Sequence, residues 1–311
     1  MNIAILTLNP CIDRALYLEK PLRTGDIHRV ARVVENAAGK GLNQAVVLEN
    51  LGTIPDYYSF CARGEDAMSR FIGTRSLRYH ATVACCGIRT NIKVIDSEEI
   101  GTELNEAGGP ITRGELDALL FELDRFDGDI LSVCGSIPAG VEKSVYAQIL
   151  TRAKAKGQIT VLDADGEALK KGLEGRPDYI KPNRRELAGL FGMTEHELDS
   201  DEKVISLARR VLEQYGTSVL CTLDADGSIY TGHDGVYRVG VATVPLRGFA
   251  GAGDTYLAAF LHAKYDAGQT TPISLEFAAR AAAAKIALGG SELPRADLID
   301  RISDVAIKKV E

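Results

Sequence analysis

Residues Ile130–Asp163 read ILSVCGSIPAGVEKSVYAQILTRAKAKGQITVLD. An apolar run at Ile130–Cys134 gives way, past Gly135 and Pro138, to a helical pattern over Val141–Lys156. The chain then returns to a strand-like run at Ile159–Asp163. A strand, a helix and a second strand in this order form a βαβ crossover, the unit of a parallel sheet. The pattern continues on both sides. Ile3–Leu8 is an apolar strand, Gly41–Leu51 has helical spacing of Leu42, Ala45, Val46 and Leu48, and Tyr57–Phe60 reads as strand again. Beyond Asp163 come strand Tyr179–Lys181, helix Glu202–Tyr215 and strand Ser218–Leu223. With no repeat, low-complexity tract or linker to divide it, the chain is predicted to form one α/β domain over residues 1–311, built on a mainly parallel, helix-covered sheet.

Two segments break the alternation. Residues 14–32 and 85–103 have half-alternating strand character without intervening helices. They are expected to pair into a small sheet beside the main one, and strands carried outside a βαβ core suit a lid over a ligand cleft. Near the C-terminus, Val236–Val244 is expected to be extended, ending at Pro245. A glycine-rich stretch, Gly248–Gly253, follows, and Asp254 is expected to open an apolar helix. The alanine-rich helix expected at Ser274–Leu288 has side chains small enough for close approach by a neighbour or a flat ligand.

The net charge of −7 on 311 residues argues against general nucleic-acid or anionic-membrane binding, because no basic excess exists to neutralise phosphates. A phosphorylated ligand therefore needs a local cluster of basic groups and backbone amides. Met1–Leu6 lacks a basic leader region and breaks at Asn9-Pro10, so it reads as a strand and not a signal peptide. The longest apolar stretch, Ala278–Leu288, contains Arg280 and Lys285 and is too short to span a bilayer. A soluble, cytoplasmic protein is expected. The six cysteines show no CxxC pair or zinc spacing and are expected to be reduced; the histidines show no metal-ligand spacing.

The candidate chemistry lies at strand ends and helix starts. In Gly251-Ala252-Gly253-Asp254, glycines before a helix let first-turn amides point at an anion, and a carboxylate there can take a proton from a hydroxyl attacking a phosphoryl group. The same residues read alone as a flexible turn with an Asp N-cap. Gly39, Lys40 and Asn43, at another glycine-rich helix start, suit a phosphorylated or hydroxylated ligand, or simply a solvated helix end. Asn183 and Glu186, three apart after the strand ending at Lys181, suit Mg²⁺ held through water; they also spell a capping box. Asp13 lies beyond the first strand, where open α/β sheets place ligands, and reads either as an acceptor of sugar hydroxyls or as a solvated turn residue. Arg29, Arg89 and Lys93 face either a sugar phosphate or solvent.

Together these segments resemble the ribokinase-like (PfkB) carbohydrate kinase family over essentially the whole chain. Ala38–Asn43 is similar to its N-terminal signature, Phe249–Thr255 to its C-terminal one, and Asn183–Glu186 to its Asn-x-x-Glu motif. Within the family, Thr7–Asp13, Arg89–Lys93, Thr102–Glu106, Gly135–Pro138 and Lys181–Leu187 resemble the hexose-phosphate branch. The resemblance implies a ribokinase-like α/β fold, with helices on both faces of the sheet and a small β-sheet lid that forms a homodimer interface. It implies ATP and Mg²⁺ as cofactors, with a monovalent cation as an accessory ion. It also implies Asp254 as catalytic base, with Gly251, Ala252 and Gly253 as the anion hole. The sugar falls to Asp13, Gly39, Lys40 and Asn43, and its phosphate to Arg89, with Arg29 and Lys93 beside it. The nucleotide falls to Lys181, Asn183, Thr222, Gly227 and Gly253, with the alanine-rich helix.

Two departures stand out. Asp224 occupies a position where the family usually has glycine, and Arg247-Gly248-Phe249-Ala250 replaces a more usual polar-Thr-Val type of sequence. The substrate implied first is fructose 1-phosphate, with tagatose 6-phosphate and fructose 6-phosphate as alternatives. A catalytically silent sugar-phosphate sensor is the reading of another class.

Overall fold

The structure, a computed structural model, describes residues 1–64, 66–98, 101–248, 250–288 and 290–310. Its strands are β1 (Ile3–Thr7), β2 (Cys11–Leu18), β3 (Val30–Ala38), β4 (Asp56–Cys61), β5 (Arg78–Val83), β6 (Arg89–Ile95) and β7 (Gly101–Asn105). There follow β8 (Ile130–Cys134), β9 (Ile159–Asp163), β10 (Tyr179–Ile180), β11 (Ser218–Thr222), β12 (Ser228–Gly232), β13 (Gly235–Val239) and β14 (Ile307–Lys309). Ten of them form one sheet in the order β14-β13-β12-β11-β10-β9-β8-β1-β4-β5. Every pairing from β5 across to β11 is parallel, and β12, β13 and β14 add an antiparallel edge.

Successive strand side chains point to opposite faces, and here both faces are covered. Ile3 and Ile5 of β1 enter one core with residues of α1 (Lys40–Asn50), α2 (Ala67–Gly73), α8 (Ala252–Leu261), α9 (Thr271–Leu288) and α10 (Ala296–Ile299). Ala4 and Leu6 enter the other, with residues of α3 (Arg113–Asp124), α4 (Val145–Ala155), α5 (Gly166–Gly172), α6 (Arg184–Leu190) and α7 (Asp201–Tyr215). Burial on both faces is why the central strands read as continuous apolar runs. The helices carry their own signals: in α7 the buried residues Val204, Leu207, Ala208 and Val211 repeat at helical spacing. Ser200 caps its start, and Gly216, at φ 70°, ends it.

The smaller sheet has the order β3-β2-β6-β7, with β2 and β6 parallel and the other pairs antiparallel. Its strands differ from the expected 14–32 and 85–103. β2 begins at Cys11, directly after the Asn9-Pro10 turn, and β3 runs to Ala38, straight into Gly39 and α1. Residues 19–29 carry no strand. The extended run expected over Val236–Val244 stops at Val239, where pairing with β14 ends. Among the described residues no helix is long and apolar enough to cross a membrane.

Candidate active site

The ends of β9, β10 and β11 bring three chain segments to one edge of the main sheet, against the first turns of α1 and α8. Asp254 sits there as the third residue of α8. The cap is Gly251, at φ 83° in the left-handed region that favours glycine, with no side-chain cap bond. The expectation that Asp254 opens the helix, and its reading as an N-cap, are both corrected. The carboxylate faces inward, 8% exposed, and its Oδ2 accepts a hydrogen bond from Asn43 Nδ2 at 2.7 Å. Burial and then the Asp163 carboxylate push the Asp254 carboxyl above its ordinary value, against Lys40, Lys181 and the Asn43 hydrogen bond. The first N–H groups of a helix have no intrahelical partners, and the dipole favours negative charge beside them.

Asp163, the last residue of β9, is fully buried. It accepts from Lys40 Nζ at 2.9 Å and Gln44 Nε2 at 3.1 Å, and Lys181 Nζ lies 3.4 Å away. Ser132 Oγ completes the set by donating to Gln44 Oε1 at 2.9 Å. Burial raises the Asp163 carboxyl, but Lys181 and Lys40 more than offset it and hold the group below its ordinary value. For Lys40 burial also works against the charge, and the Asp163, Glu186 and Asp254 carboxylates overcome it, holding the amine above its ordinary value. Two ammonium groups thus converge beside α8. Lys181 Nζ is 3.1 Å from the point a Cβ on Gly253 would occupy. A helix start flanked by lysines is a receptor for phosphate oxygens. Gly41 makes this possible: a Cβ there would lie 2.0 Å from Thr7 Oγ1, so only glycine lets α1 lie this close to β1.

Asn183 and Glu186 form the capping box of α6. Asn183 Oδ1 accepts from Glu186 N at 2.8 Å, and Glu186 Oε2 accepts from Asn183 N at 2.9 Å. The cap does not use up the carboxylate, because Glu186 Oε1 lies 3.7 Å from Lys40 Nζ. Cap and site are one construction: the cap fixes where that second oxygen sits. Next to it, Asn183 bridges Thr222, and Thr222 N donates to Pro182 O at 3.0 Å. Asp224, in the turn from Thr222 to Gly227, has φ 51°, which explains a glycine at this position; Asp is among the few side chains that tolerate it. The Asp224 side chain is exposed.

Asp13 is not a turn residue but part of β2. Its Oδ2 accepts from Lys93 Nζ at 2.6 Å and its Oδ1 from Asn91 Nδ2 at 3.1 Å. Arg89 Nε donates to Asn9 O at 3.3 Å, and Nη1 to Asn91 Oδ1 and Glu106 O, both at 3.1 Å. Burial weakens the Lys93 charge, but the Asp13 hydrogen bond prevails and its amine stays above its ordinary value. Gly39, between β3 and α1, approaches Cys11 Sγ. Arg29 is not brought in: it is exposed, outside the strands, and forms no ion pair among the described residues. Phe249 lies outside the described residues.

Sequence reasoning gave no role to Asp163, Gln44 and Asn91. Asp163 and Gln44 left a trace as polar residues in apolar runs, whereas Asn91 lies within the quoted segment Arg89–Lys93 without its side chain being singled out.

The profile of the pfkB family carbohydrate kinases matches residues 6–297. A 1-phosphofructokinase from Haemophilus influenzae is 28% identical, over 100% of this chain and 99% of its own length. The phosphofructokinase-2 from Escherichia coli in complex with potassium superposes with a TM-score of 0.89 at 22% identity, covering 97% of each chain. A ribokinase from Thermotoga maritima does so with a TM-score of 0.77 at 18% identity, covering 96% of this chain and 97% of its own. The fold is ribokinase-like. The chain belongs to the pfkB family of carbohydrate kinases, phosphotransferases with an alcohol group as acceptor.

Proposed function

We propose that the chain transfers the γ-phosphoryl group of ATP to the free primary hydroxyl of a ketohexose monophosphate, with fructose 1-phosphate giving fructose 1,6-bisphosphate as the first choice. The observation that carries this reading is the pairing of a buried Asp254 with the first turn of α8, between Lys40 and Lys181. The choice of sugar is supported by the 1-phosphofructokinase similar over the whole chain. Tagatose 6-phosphate and fructose 6-phosphate are the alternatives.

In this mechanism Asp254 takes the proton of the attacking hydroxyl as its oxygen bonds to phosphorus and the bond to ADP breaks. Its raised proton affinity favours that transfer. The Gly251–Gly253 amides and the α8 dipole stabilise charge on the transferring group, and Lys40 and Lys181 add fixed positive charge. Asn43 holds Asp254 in place. Asp13, Gly39, Lys40 and Asn43 bind the sugar, with Arg89 and Lys93 on its phosphate; Arg29 joins them only if residues 19–29 move inward. Thr222, Gly227, Lys181, Asn183 and the alanine-rich α9 serve the nucleotide.

Mg²⁺ is assigned to Glu186 and Asn183 through water. The Glu186 oxygen outside the cap, which faces Lys40, fits such a role, since Mg²⁺ beside nucleotide phosphates commonly keeps most of its waters and takes one or two carboxylates; an ion held there would neutralise phosphate charge. The small sheet is proposed as a lid and as the face of a homodimer, within a single kinase domain in the cytoplasm.

The test is a panel of fructose 1-phosphate, tagatose 6-phosphate, fructose 6-phosphate and unphosphorylated fructose with ATP and Mg²⁺, with and without K⁺, scored by ADP release. Highest kcat/KM on fructose 1-phosphate is expected. Saturable sugar-phosphate binding without ADP release would instead identify a sensor.

A further inference from the structure

Lys285 has no part in the proposed chemistry, yet it is among the most deeply buried charged groups of the molecule, 1% exposed in the last turn of α9. Removing an ammonium group from water is costly unless the surroundings compensate it. Its position accounts for that expense. Lys285 Nζ donates to Gly290 O at 2.9 Å, just past the end of its own helix. Its Cε is 3.4 Å from the point a Cβ on Gly251 would occupy, and Asn43 Nδ2 lies at the same distance from that point. The two side chains therefore flank the left-handed residue that starts α8, one of them bonded to Asp254.

Other contacts close the same corner. Arg247 N donates to Ile286 O at 3.0 Å, so the segment entering the glycine turn is pinned to the end of α9. Leu293 Cδ2 is 3.7 Å from the Gly251 Cβ point, and Asn50 Nδ2 donates to Leu293 O at 3.1 Å and Pro294 O at 3.2 Å. The glycine turn is thus held between α1 and the chain leaving α9, with Lys285 as the charged group in the seam.

We propose that Lys285 is a positioning residue for phosphoryl transfer: its amine fixes the chain after α9 at Gly290, while its stem packs on Gly251, so that the first turn of α8 keeps its amides and Asp254 aimed at one point. The proposal rests on reading that turn as the phosphoryl-binding element. Burial, followed by the Lys93 charge, pulls the Lys285 amine below its ordinary value, with Glu292 and Asp254 acting the other way.

The experiment compares the full-length chain with Lys285→Met, which keeps length and apolar bulk but loses the charge and donor. Two quantities are read: kcat and KM per folded enzyme, and hydrogen exchange of the Gly251–Asp254 amides. The proposal expects kcat to fall by about tenfold or more, since small displacements of a reacting group are costly, with the sugar-phosphate KM within about twofold. It also expects faster exchange across Gly251–Asp254, and Lys285→Arg should recover part of the lost kcat. Unchanged kcat and unchanged exchange, even with a lower melting temperature, would overturn it and leave a purely structural lysine. If the unmodified chain turns over no sugar phosphate, the kinase reading fails and the exchange measurement alone decides the role of Lys285. Should Lys285→Met fail to fold, Lys285→Gln carries the same two readings.

Discussion

The two halves of the candidate site are built differently. At the edge of the main sheet, the buried Asp163 ties together Lys40, Lys181 and Gln44, and the buried Asp254 beside it is held by Asn43. On the small sheet, Asp13, Lys93, Asn91 and Arg89 are only partly buried and bind one another or backbone carbonyls. The first arrangement pre-positions groups before any ligand arrives, which is the condition for electrostatic stabilisation of a transition state. The second holds pairs that a ligand must exchange for its own contacts, so it should govern affinity more than turnover.

That contrast can be broken at several points. Asp163→Asn removes the fully buried carboxylate shared by the buried Lys181 and the part-exposed Lys40, and loss of one partner from a buried ion pair costs about 3–5 kcal/mol. A large drop in the urea midpoint is expected, and a wild-type midpoint would contradict the network. Because the Asp163 carboxyl is held below its ordinary value, its stabilisation is present at neutral pH and is lost as pH falls through that depressed value. The effect of Asp163→Asn should therefore shrink in acid.

Arg89→Ala comes next. Hydrogen bonds to charged groups are worth about 1.5–3 kcal/mol, so the sugar-phosphate KM should rise roughly tenfold to a hundredfold with kcat nearly intact. A fall in kcat with unchanged KM would place Arg89 in the wrong half of the comparison. Asp254→Asn should behave oppositely in stability and function. A carboxyl whose folded value is raised costs the fold stability at pH above that value, so the Asn variant should melt at a higher temperature at neutral pH, the gain vanishing in acid. The smallest effect is expected from Asp224→Gly. The residue is exposed and left-handed, so relief of backbone strain is offset by added chain freedom; stability should change by no more than about 1 kcal/mol and the ATP KM by no more than about fivefold.

The same contrast explains what could be read in advance. The parallel core was legible because strands buried on both faces leave continuous apolar runs. β5 and β14 were not, since Arg78, His80, Lys308 and Lys309 give edge strands a mixed pattern. The glycine turn, Lys40, Asn43 and the Asn183–Glu186 pair were legible as local motifs. Asp163 was not, because its meeting with Lys181 depends on register: Leu162 pairs with Ile180, which sets the next residue of each strand side by side. Of the two readings of Asp13, acceptor of sugar hydroxyls or solvated turn residue, the turn is excluded by its place in β2; nothing local announces that the chain re-enters a strand at Cys11. The sequence alone also left the geometry of Glu186 open: one oxygen is committed to the cap and the other faces Lys40.

The central claim is that the buried corner supplies the base. Its most direct test is turnover of fructose 1-phosphate and ATP by Asp254→Asn, with binding of both substrates measured on the same preparation. A loss of kcat of about 10²–10⁴-fold or more, with both dissociation constants within a few-fold of the unmodified chain, is the predicted result. Near-normal turnover by that variant would contradict the account.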